Sequence, residues 1–191
     1  MRKVILNLAV SLDGFIEGPN GETDWCRIED DPTAESTFES HFDEFLARID
    51  TIFYGRLSYD LWGNYDPGES ASPPEKKLWS GVHSKEKYVF SKSPNVTDER
   101  ATYISENIAE HVWEIKNRPG KDIWLYGGAS LITSFINLGL VDNYLIAMYP
   151  IILGGGKPLF SDIKDRTQLS LNKVVTSKSG VILLDYDGVF L

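Results

Sequence analysis

The stretch from Ile123 to Ile132 constrains the fold most, because a short apolar run meets Gly127-Gly128 and then changes to helical spacing that Gly139 ends. This pattern predicts a buried strand that turns directly into a helix. Such a turn leaves backbone N–H groups free at the helix N-terminus, and the glycines allow another backbone or a pyrophosphate to come close. Two adjacent glycines are a weaker signal than a full dinucleotide fingerprint, so these residues alone slightly favour a tight turn without a ligand.

Strand-like and helix-like segments alternate along most of the chain. Apolar or β-branched runs predict strands at 3–10, 51–54, 87–90, 101–104, 123–126 and 141–149. Helices are expected to begin at Asp31-Pro32, near Ser58 and at Ser105, whereas three prolines in 63–75 predict an irregular loop. The C-terminal segment predicts two strands joined by a turn at 177–180.

This alternation predicts a single α/β domain over residues 1–191. We expect a mainly parallel central sheet with helices on both faces and an antiparallel C-terminal hairpin. The first strand is rich in branched residues and is expected to be buried on both faces.

Composition excludes several classes of function. The net charge of −9 argues against a nucleic-acid partner, whose phosphates require a basic surface. No apolar run approaches the roughly 20 residues that cross a bilayer, and the N-terminus lacks a secretion signal, so we expect a cytoplasmic protein with no membrane partner. Cys26 is the single cysteine and the three histidines lack metal-ligand spacing, so neither a disulfide nor a metal site is expected.

Three predicted strands are followed by loops with the character of phosphate sites: Gly55-Arg56-Leu57-Ser58, Ser91-Lys92-Ser93 and Gly127-Gly128-Ala129-Ser130. Parallel strands direct their carboxyl ends to one edge of the sheet, so these loops should meet there. Arg56 supplies a planar cation, Ser58 a hydroxyl and Lys92 a point charge beside two hydroxyls. On an acidic protein this combination favours an anionic dinucleotide. The separate cation at Lys92 indicates a 2′-phosphate, and therefore NADPH rather than NADH.

Five motifs in this order carry a family resemblance. They are Ser11-Leu12-Asp13-Gly14-Phe15-Ile16, Tyr54-Gly55-Arg56-Leu57-Ser58-Tyr59, Val89-Phe90-Ser91-Lys92-Ser93, Tyr126-Gly127-Gly128-Ala129 and the run from Pro150 to Phe160. Together they resemble the dihydrofolate-reductase-like fold. They are most similar to the reductase (C-terminal) domain of the riboflavin-biosynthesis deaminase-reductase and its stand-alone relatives, over nearly the whole chain.

The resemblance implies hydride transfer from NADPH to a small heterocyclic substrate, as in 5-amino-6-(5-phosphoribosylamino)uracil reductase of riboflavin biosynthesis. It implies that the Ala9 backbone contacts the nicotinamide carboxamide. It further implies three groups of cofactor-binding residues. They are Gly55, Arg56 and Ser58 at the phosphates, Ser91, Lys92 and Ser93 at the 2′-phosphate, and Tyr126, Gly127, Gly128, Ala129 and Ser130 at the pyrophosphate turn.

The substrate side is less determined. Asp13 is a candidate catalytic residue that orients the substrate or relays a proton, and it is equally consistent with a turn aspartate before Gly14. Trp25 is a candidate to cover the nicotinamide, or an ordinary packed tryptophan. Dihydrofolate reductases hold the pterin with a carboxylate on the first helix, for which Glu39 and its neighbours Glu35 and Asp43 are candidates. Their helical spacing favours a solvated polar face.

Several alternatives remain open at this point. A dihydrofolate (pterin) reductase, a non-catalytic NADPH-binding protein and a flavin-binding reductase all fit the cofactor half. We also expect a homodimer, because the exposed edge of the C-terminal hairpin requires cover.

Overall fold

The computed structural model describes residues 1–26, 37–93 and 98–189, and only the backbone of residues 37–40. The strands are β1 (Val4–Ser11), β2 (Phe15–Glu17), β3 (Ile49–Gly55), β4 (Glu86–Phe90), β5 (Thr102–Ile104), β6 (Asp122–Gly127), β7 (Asn143–Tyr149), β8 (Lys157–Pro158), β9 (Gln168–Thr176) and β10 (Ile182–Val189). The helices are α1 (Thr37–Arg48), α2 (Arg56–Ser58, continued by a wider turn at Tyr59–Gly63), α3 (Pro73–His83), α4 (Ile108–Asn117) and α5 (Ala129–Asn137). None of the helices in these ranges is long and apolar enough to span a bilayer.

Eight strands form the central sheet in the order β5-β4-β3-β6-β1-β7-β10-β9. The six strands from β5 to β7 run parallel, while β10 is antiparallel to both β7 and β9. The short strands β2 and β8 pair separately. The predicted mixed α/β architecture, with its antiparallel C-terminal hairpin, is therefore confirmed.

Alternate residues of the central strands face two apolar layers. Val4 and Leu6 of β1 pack in the cluster that contains α4 and α5, here called the α4/α5 face. Ile5 packs in the cluster that contains α1 and α3, here called the α1/α3 face. Strand alternation thus buries both sides of the sheet, and the predicted helices on both faces are confirmed.

The sheet opens between two of its central strands. β1 pairs with β7 over Ile5–Ser11, but its pairing with β6 ends at Leu6 opposite Leu125. Beyond that point the indole Nε1 of Trp124 donates to the Asn7 carbonyl at 2.8 Å, which satisfies a backbone acceptor that β6 no longer reaches. The prediction that the first strand is buried on both faces is wrong in its centre, where Asn7, Leu8 and Ala9 are half-buried.

The prolines near residue 73 begin a helix instead of continuing a loop. Ser72 lies at the N-cap of α3, and its hydroxyl accepts the Glu75 N–H at 3.3 Å. Proline suits the first helical positions, since their N–H groups have no partner within the helix. Trp79 and Val82 then pack on the α1/α3 face. The irregular loop predicted over 63–75 therefore ends at Ser72.

Two other predicted helix starts have different outcomes. α4 begins at Ile108, and its N-cap is Asn107 in the left-handed region at φ 51°, so the cap predicted at Ser105 is wrong. Asparagine is among the residues that tolerate this conformation. The start predicted at Asp31-Pro32 lies outside the described residues.

Candidate functional site

The three predicted phosphate loops follow neighbouring strands. In the sheet register Gly55 of β3 lies opposite Phe90 of β4, and Tyr54 lies opposite Gly127 of β6. The loops after these strands therefore share the carboxyl edge of the sheet, as predicted. This edge also borders the opening between β1 and β6.

Three glycines form a close backbone packing at this edge. A Cβ on Gly55 would lie 3.3 Å from the Gly128 nitrogen, and one on Gly128 would lie 3.1 Å from the Ser58 Oγ. Gly127 has φ 107°, and a Cβ there would lie 2.8 Å from the Cδ1 of Ile132. The Gly127–Gly128 peptide is cis. We call Gly55, Gly127 and Gly128 the glycine cradle, in which a side chain at Gly128 would occupy the space next to the Ser58 hydroxyl.

Helix α5 begins directly after the cradle. Ala129 is buried, Ser130 is exposed, and no side chain caps the helix. Leu131 and Ile132 donate their N–H groups to the Gly128 carbonyl at 2.9 and 3.1 Å, so the first turn is in place. The first N–H groups of such a helix are suited to an anion. The residues present therefore fit the pyrophosphate of a dinucleotide.

The two predicted cations differ in their surroundings. The Arg56 Nε donates to the Asp60 carboxylate at 2.6 Å, and the arginine side chain is 37% exposed. Lys92 is exposed. The neighbouring serines bond to each other, since the Ser93 N–H donates to the Ser91 Oγ at 3.2 Å and that hydroxyl donates back to the Ser93 carbonyl at 3.3 Å. Arg56 is thus held in place, whereas Lys92 extends from a turn that its serines stabilise.

An ion pair that sequence analysis missed lies next to this edge. Arg100 donates to Asp98 through Nε and Nη2, both at 3.0 Å, and the Tyr59 hydroxyl donates to the same carboxylate at 2.8 Å. The hydrogen bonds from Arg100 are the main cause that lowers the pKa of Asp98 to about 2. Spacing alone does not reveal this group, because Tyr59 is remote from the pair in sequence. It ties the chain before β5 to the turn after α2.

Aromatic side chains form one wall of the opening. Tyr126 stacks on Trp62 with ring centroids 4.5 Å apart and an interplanar angle of 17°, and it meets Trp124 edge-on at 5.4 Å. Burial is the main cause that raises the pKa of Tyr126, so its hydroxyl stays protonated in the ordinary pH range. Trp62 was predicted only as part of a short helix, and its place beside Tyr126 follows from the tertiary fold.

The facing wall comes from a different part of the chain. Trp25 meets Tyr149 edge-on at 5.6 Å, and its Nε1 donates to the Glu22 carbonyl at 3.2 Å. The Tyr149 hydroxyl donates to the Cys26 carbonyl at 3.0 Å. Cys26 also contributes to the raised pKa of Tyr126, after burial, so the Trp25–Cys26 turn lies near both walls. Trp25 is therefore packed against Tyr149, and its role over a nicotinamide stays a prediction.

The floor between the walls is made of small side chains. Ala9 of β1 pairs in register with Ala147 of β7, and both pack in the cluster that contains Tyr149 and Leu183. Ala9 is half-buried although β1 lies in the middle of the sheet. We call the region between these small side chains and the two groups of aromatic side chains the slot.

Asp13 anchors a loop at the end of β1. Its Oδ1 accepts the Ser11 hydroxyl at 2.7 Å and the Leu153 N–H at 3.1 Å, and its Oδ2 accepts the Gly154 N–H at 2.8 Å. The Ser11 hydroxyl is the first cause of its lowered pKa, and the N–H groups of Gly154 and Leu153 act in the same direction. The geometry agrees with the turn interpretation, and the catalytic role stays a prediction.

The carboxylates of α1 do not reach the slot where they are described. Asp43 pairs with Lys77 of α3, and both side chains are largely exposed, which agrees with the solvated face that the spacing favoured. Glu35 and the side chain of Glu39 lie outside the described residues. Across the described ranges, no three His, Cys, Asp or Glu residues come together as a metal site.

Comparison with known proteins gives consistent matches over the whole chain. The family model described as RibD C-terminal domain matches residues 2–183. The uncharacterized Bacillus subtilis protein YyaP is 54% identical over 185 residues, which cover 97% of this chain and 94% of that protein.

Solved structures with low sequence identity show the same fold. A putative riboflavin biosynthesis protein from Shewanella sp. PV-4 has a TM-score of 0.77 at 21% identity, covering all of both chains. A Thermotoga maritima diaminohydroxyphosphoribosylaminopyrimidine deaminase/5-amino-6-(5-phosphoribosylamino)uracil reductase has a TM-score of 0.67 at 17% identity, covering 98% of this chain and 57% of that one. Dihydrofolate reductase from Enterococcus faecalis, complexed with NADP(H), has a TM-score of 0.62 at 14% identity, covering 98% and 97%. The fold is dihydrofolate-reductase-like.

Proposed function

Because this chain belongs to the RibD C-terminal domain family, we propose that it is an NADPH-dependent reductase of a small heterocyclic substrate. The observation that carries the proposal is the opening between β1 and β6, which lies beside the glycine cradle and below two aromatic walls. A bound NADPH supplies the hydride, and the protein supplies binding, orientation and exclusion of water.

The backbone of β1 offers a match for the nicotinamide carboxamide. The Lys3 carbonyl accepts the Ile123 N–H, and the Asn7 carbonyl accepts the Trp124 indole N–H. The backbone N–H and C=O groups of the odd-numbered residues of β1 therefore point toward β6. Strand alternation directs the Ala9 N–H and carbonyl the same way, beyond the point where β6 pairs. One donor and one acceptor at the edge of the opening suit a primary amide, and we assign this contact to Ala9.

The phosphates of the cofactor are assigned to the cradle and the two cations. Gly127, Gly128 and the first turn of α5 take the pyrophosphate, with the Ser58 hydroxyl at hand. The contact of Arg56 with Asp60 engages Nε, and no hydrogen bond within the described residues engages the terminal nitrogens of the guanidinium, which we assign to a phosphate. Lys92 is assigned to the 2′-phosphate. Local cations are needed because the chain carries a net charge of −9.

The slot between the aromatic walls is assigned to the substrate ring. Stacking and edge-on contacts with Tyr126, Trp62 and Trp25 favour a flat, conjugated molecule. Pyrimidines and pterins have this shape. A homodimer formed through the C-terminal hairpin and a cytoplasmic location complete the proposal, and light scattering at micromolar concentration tests the pairing of subunits.

Two measurements test the proposal in sequence. Calorimetric titration should show NADPH binding more tightly than NADH, since only NADPH carries the 2′-phosphate. Loss of NADPH absorbance should then accelerate with at least one member of a panel of aminouracils, other pyrimidines and pterins. Failure to bind NADPH overturns the proposal. Tight binding without turnover of any ring supports a non-catalytic NADPH-binding protein instead, and a yellow purified protein supports a flavin-binding reductase.

A further inference from the structure

A cavity of about 440 Å³ opens beside α5 and is here called the α5 cavity. Its apolar lining comes from α5, β7, β9 and the chain between β8 and β9, and consists of Ile136, Tyr144, Phe160, Ile163 and Leu169. A second cavity of about 190 Å³ shares Tyr144, Phe160 and Leu169 with it, so the two form one groove. A groove of this size is typical of a small-molecule site.

The α5 cavity and the slot lie on opposite sides of the sheet. Tyr144 of β7 packs on the α4/α5 face, whereas Ala147 of the same strand packs in the cluster that forms the floor of the slot. Residues three apart in a strand point to opposite faces. The cavity is therefore separate from the site that the proposed function uses.

Tyr144 brings an unpaired hydroxyl to this apolar lining. The residue is only 3% exposed, and its hydroxyl forms no hydrogen bond with any residue that the structure describes. Burial is the main cause that raises the pKa of Tyr144 to about 12, so the hydroxyl keeps its proton in the ordinary pH range. Because a buried hydroxyl without a partner is costly, this O–H group is suited to donate to an acceptor on a ligand.

Two cations lie on the rim of the α5 cavity. Lys164 and Arg166 are exposed, and neither side chain forms an ion pair or a hydrogen bond within the described ranges. By contrast, Arg48 and Arg100 each pair with an aspartate. Asp165 also lies on the rim, which is therefore net positive on a chain of net charge −9. Unpaired cations on an acidic protein favour an anion at this place.

The loop that carries the two cations is held against α5. The Asn137 Nδ2 donates to the Asp162 carbonyl at 3.1 Å, and the Asn137 Oδ1 accepts the Lys164 N–H at 2.9 Å. The Thr133 hydroxyl donates to the Ser161 carbonyl at 2.9 Å. Side chains of α5 thus fix the backbone from which the Lys164 side chain extends, and the cationic rim is a built part of the fold.

We propose that the α5 cavity binds an amphipathic carboxylate, with its apolar body in the lining and its head group at Lys164, Arg166 and the Tyr144 hydroxyl. A carboxylate accepts charge-assisted hydrogen bonds from all three groups, which an uncharged head group does not. A flexible hydrocarbon chain suits a lining that mixes aliphatic and aromatic side chains and continues into the second cavity. The inference goes beyond the proposed function and does not rest on it.

Two probes of the same chain length test the head group. Calorimetric titration of the full chain with decanoate should give a saturable isotherm, and 1-decanol should bind at least about tenfold more weakly, because it lacks the charge. The decanoate titration is repeated with NADP⁺ in excess. The affinity for decanoate should stay the same, since the slot and the α5 cavity lie on opposite sides of the sheet.

Variants test the residues. The double variant Lys164→Ala/Arg166→Ala should weaken decanoate at least about tenfold and leave 1-decanol unchanged, and both side chains are exposed, so the fold should be kept. Tyr144→Phe keeps the ring and should weaken decanoate about tenfold, through one hydrogen bond to a charged group. The control Lys173→Ala/Lys178→Ala removes two exposed lysines from the C-terminal hairpin, outside the cavity, and should bind decanoate as the wild type does.

Several results would overturn the inference. They are the absence of saturable decanoate binding, equal affinity for 1-decanol, displacement of decanoate by NADP⁺, and unchanged decanoate affinity in the folded double variant. A second copy of this chain is the other candidate for the groove, because Phe160 is 52% exposed at its edge. If decanoate does not bind and Phe160→Ser dissociates a dimer in sedimentation, the groove is an interface between subunits and the inference is wrong.

Discussion

Substitutions in the glycine cradle should separate cofactor binding from folding. Gly55 has φ −73° and ψ 155°, which any residue adopts, and a Cβ there would lie 3.3 Å from the Gly128 nitrogen. Alanine at an ordinary backbone conformation stabilises a protein by roughly 0.4–1 kcal/mol through the unfolded state, and the tight contact opposes this gain. We therefore expect Gly55→Ala to change the free energy of unfolding by less than about 1 kcal/mol, since both terms are small.

Gly127→Ala should behave differently. Its φ of 107° strains any residue with a side chain, and the new Cβ would lie 2.8 Å from the Cδ1 of the fully buried Ile132. Strain and overpacking each cost about 1–3 kcal/mol, so we expect a loss of roughly 2–6 kcal/mol. For a chain of this size that loss lowers the melting temperature by roughly 4–24 °C. Gly68→Ala, with φ 72° and open space around it, controls for strain without a clash.

Thermal unfolding and NADPH titration of the same samples provide the test. Gly55→Ala should melt within a few degrees of the wild type, at roughly 2–4 °C per kcal/mol, and should bind NADPH at least about tenfold more weakly. The reason is that its methyl group points at the backbone assigned to the pyrophosphate. Unchanged NADPH affinity in Gly55→Ala, or a loss of stability equal to that of Gly127→Ala, would refute the reasoning.

Three further predictions concern charged residues around the site. Lys92→Ala should weaken the binding of NADPH, measured by calorimetry, more than the binding of NADH. An equal loss of affinity for both nucleotides removes the 2′-phosphate assignment. Asp98 has a folded pKa of about 2 against about 3.9 in the unfolded chain, so its stabilisation is present above about pH 4 and is lost as pH falls toward 2. The melting temperatures of wild type and Asp98→Asn should therefore converge over that interval, and a constant difference contradicts the ion pair. Asp13→Asn should speed hydrogen exchange at the Leu153 and Gly154 amides with NADPH affinity retained; unchanged exchange with lost turnover would instead support a catalytic Asp13.

Local signals account for what the sequence could predict. The run Tyr126-Gly127-Gly128 marks a strand that turns into a helix within a few residues, so its place at the carboxyl edge follows from short-range rules. The family resemblance rests on such turns. Pro73-Pro74 shows the limit of these rules, because proline breaks a helix in its interior and begins one at its first turn. The sequence signal that was available for this helix start was Ser72 at the N-cap position followed three residues later by Glu75.

The half-buried state of Asn7 could not be predicted locally. An apolar strand of branched residues indicates burial, and it carries no information about where a neighbouring strand stops pairing. The separation of β6 from β1 after Leu6 is a property of the assembled sheet. The sequence showed only that Asn7 is a polar residue within an apolar run.

The separation of β1 and β6 links the two halves of the candidate site. Beyond Leu125, β6 no longer pairs with β1 and continues into Gly127-Gly128. The backbone of these glycines packs against Gly55 of the neighbouring strand β3. A carbonyl on β1 that is buried without a hydrogen-bond donor would be costly, and the Trp124 indole donates to the carbonyl of Asn7. The next backbone groups that point toward β6 belong to Ala9, for which we propose the nicotinamide carboxamide as partner. One departure from regular pairing thus brings together the glycine cradle, the Ala9 backbone that we propose for the cofactor and the half-buried Asn7.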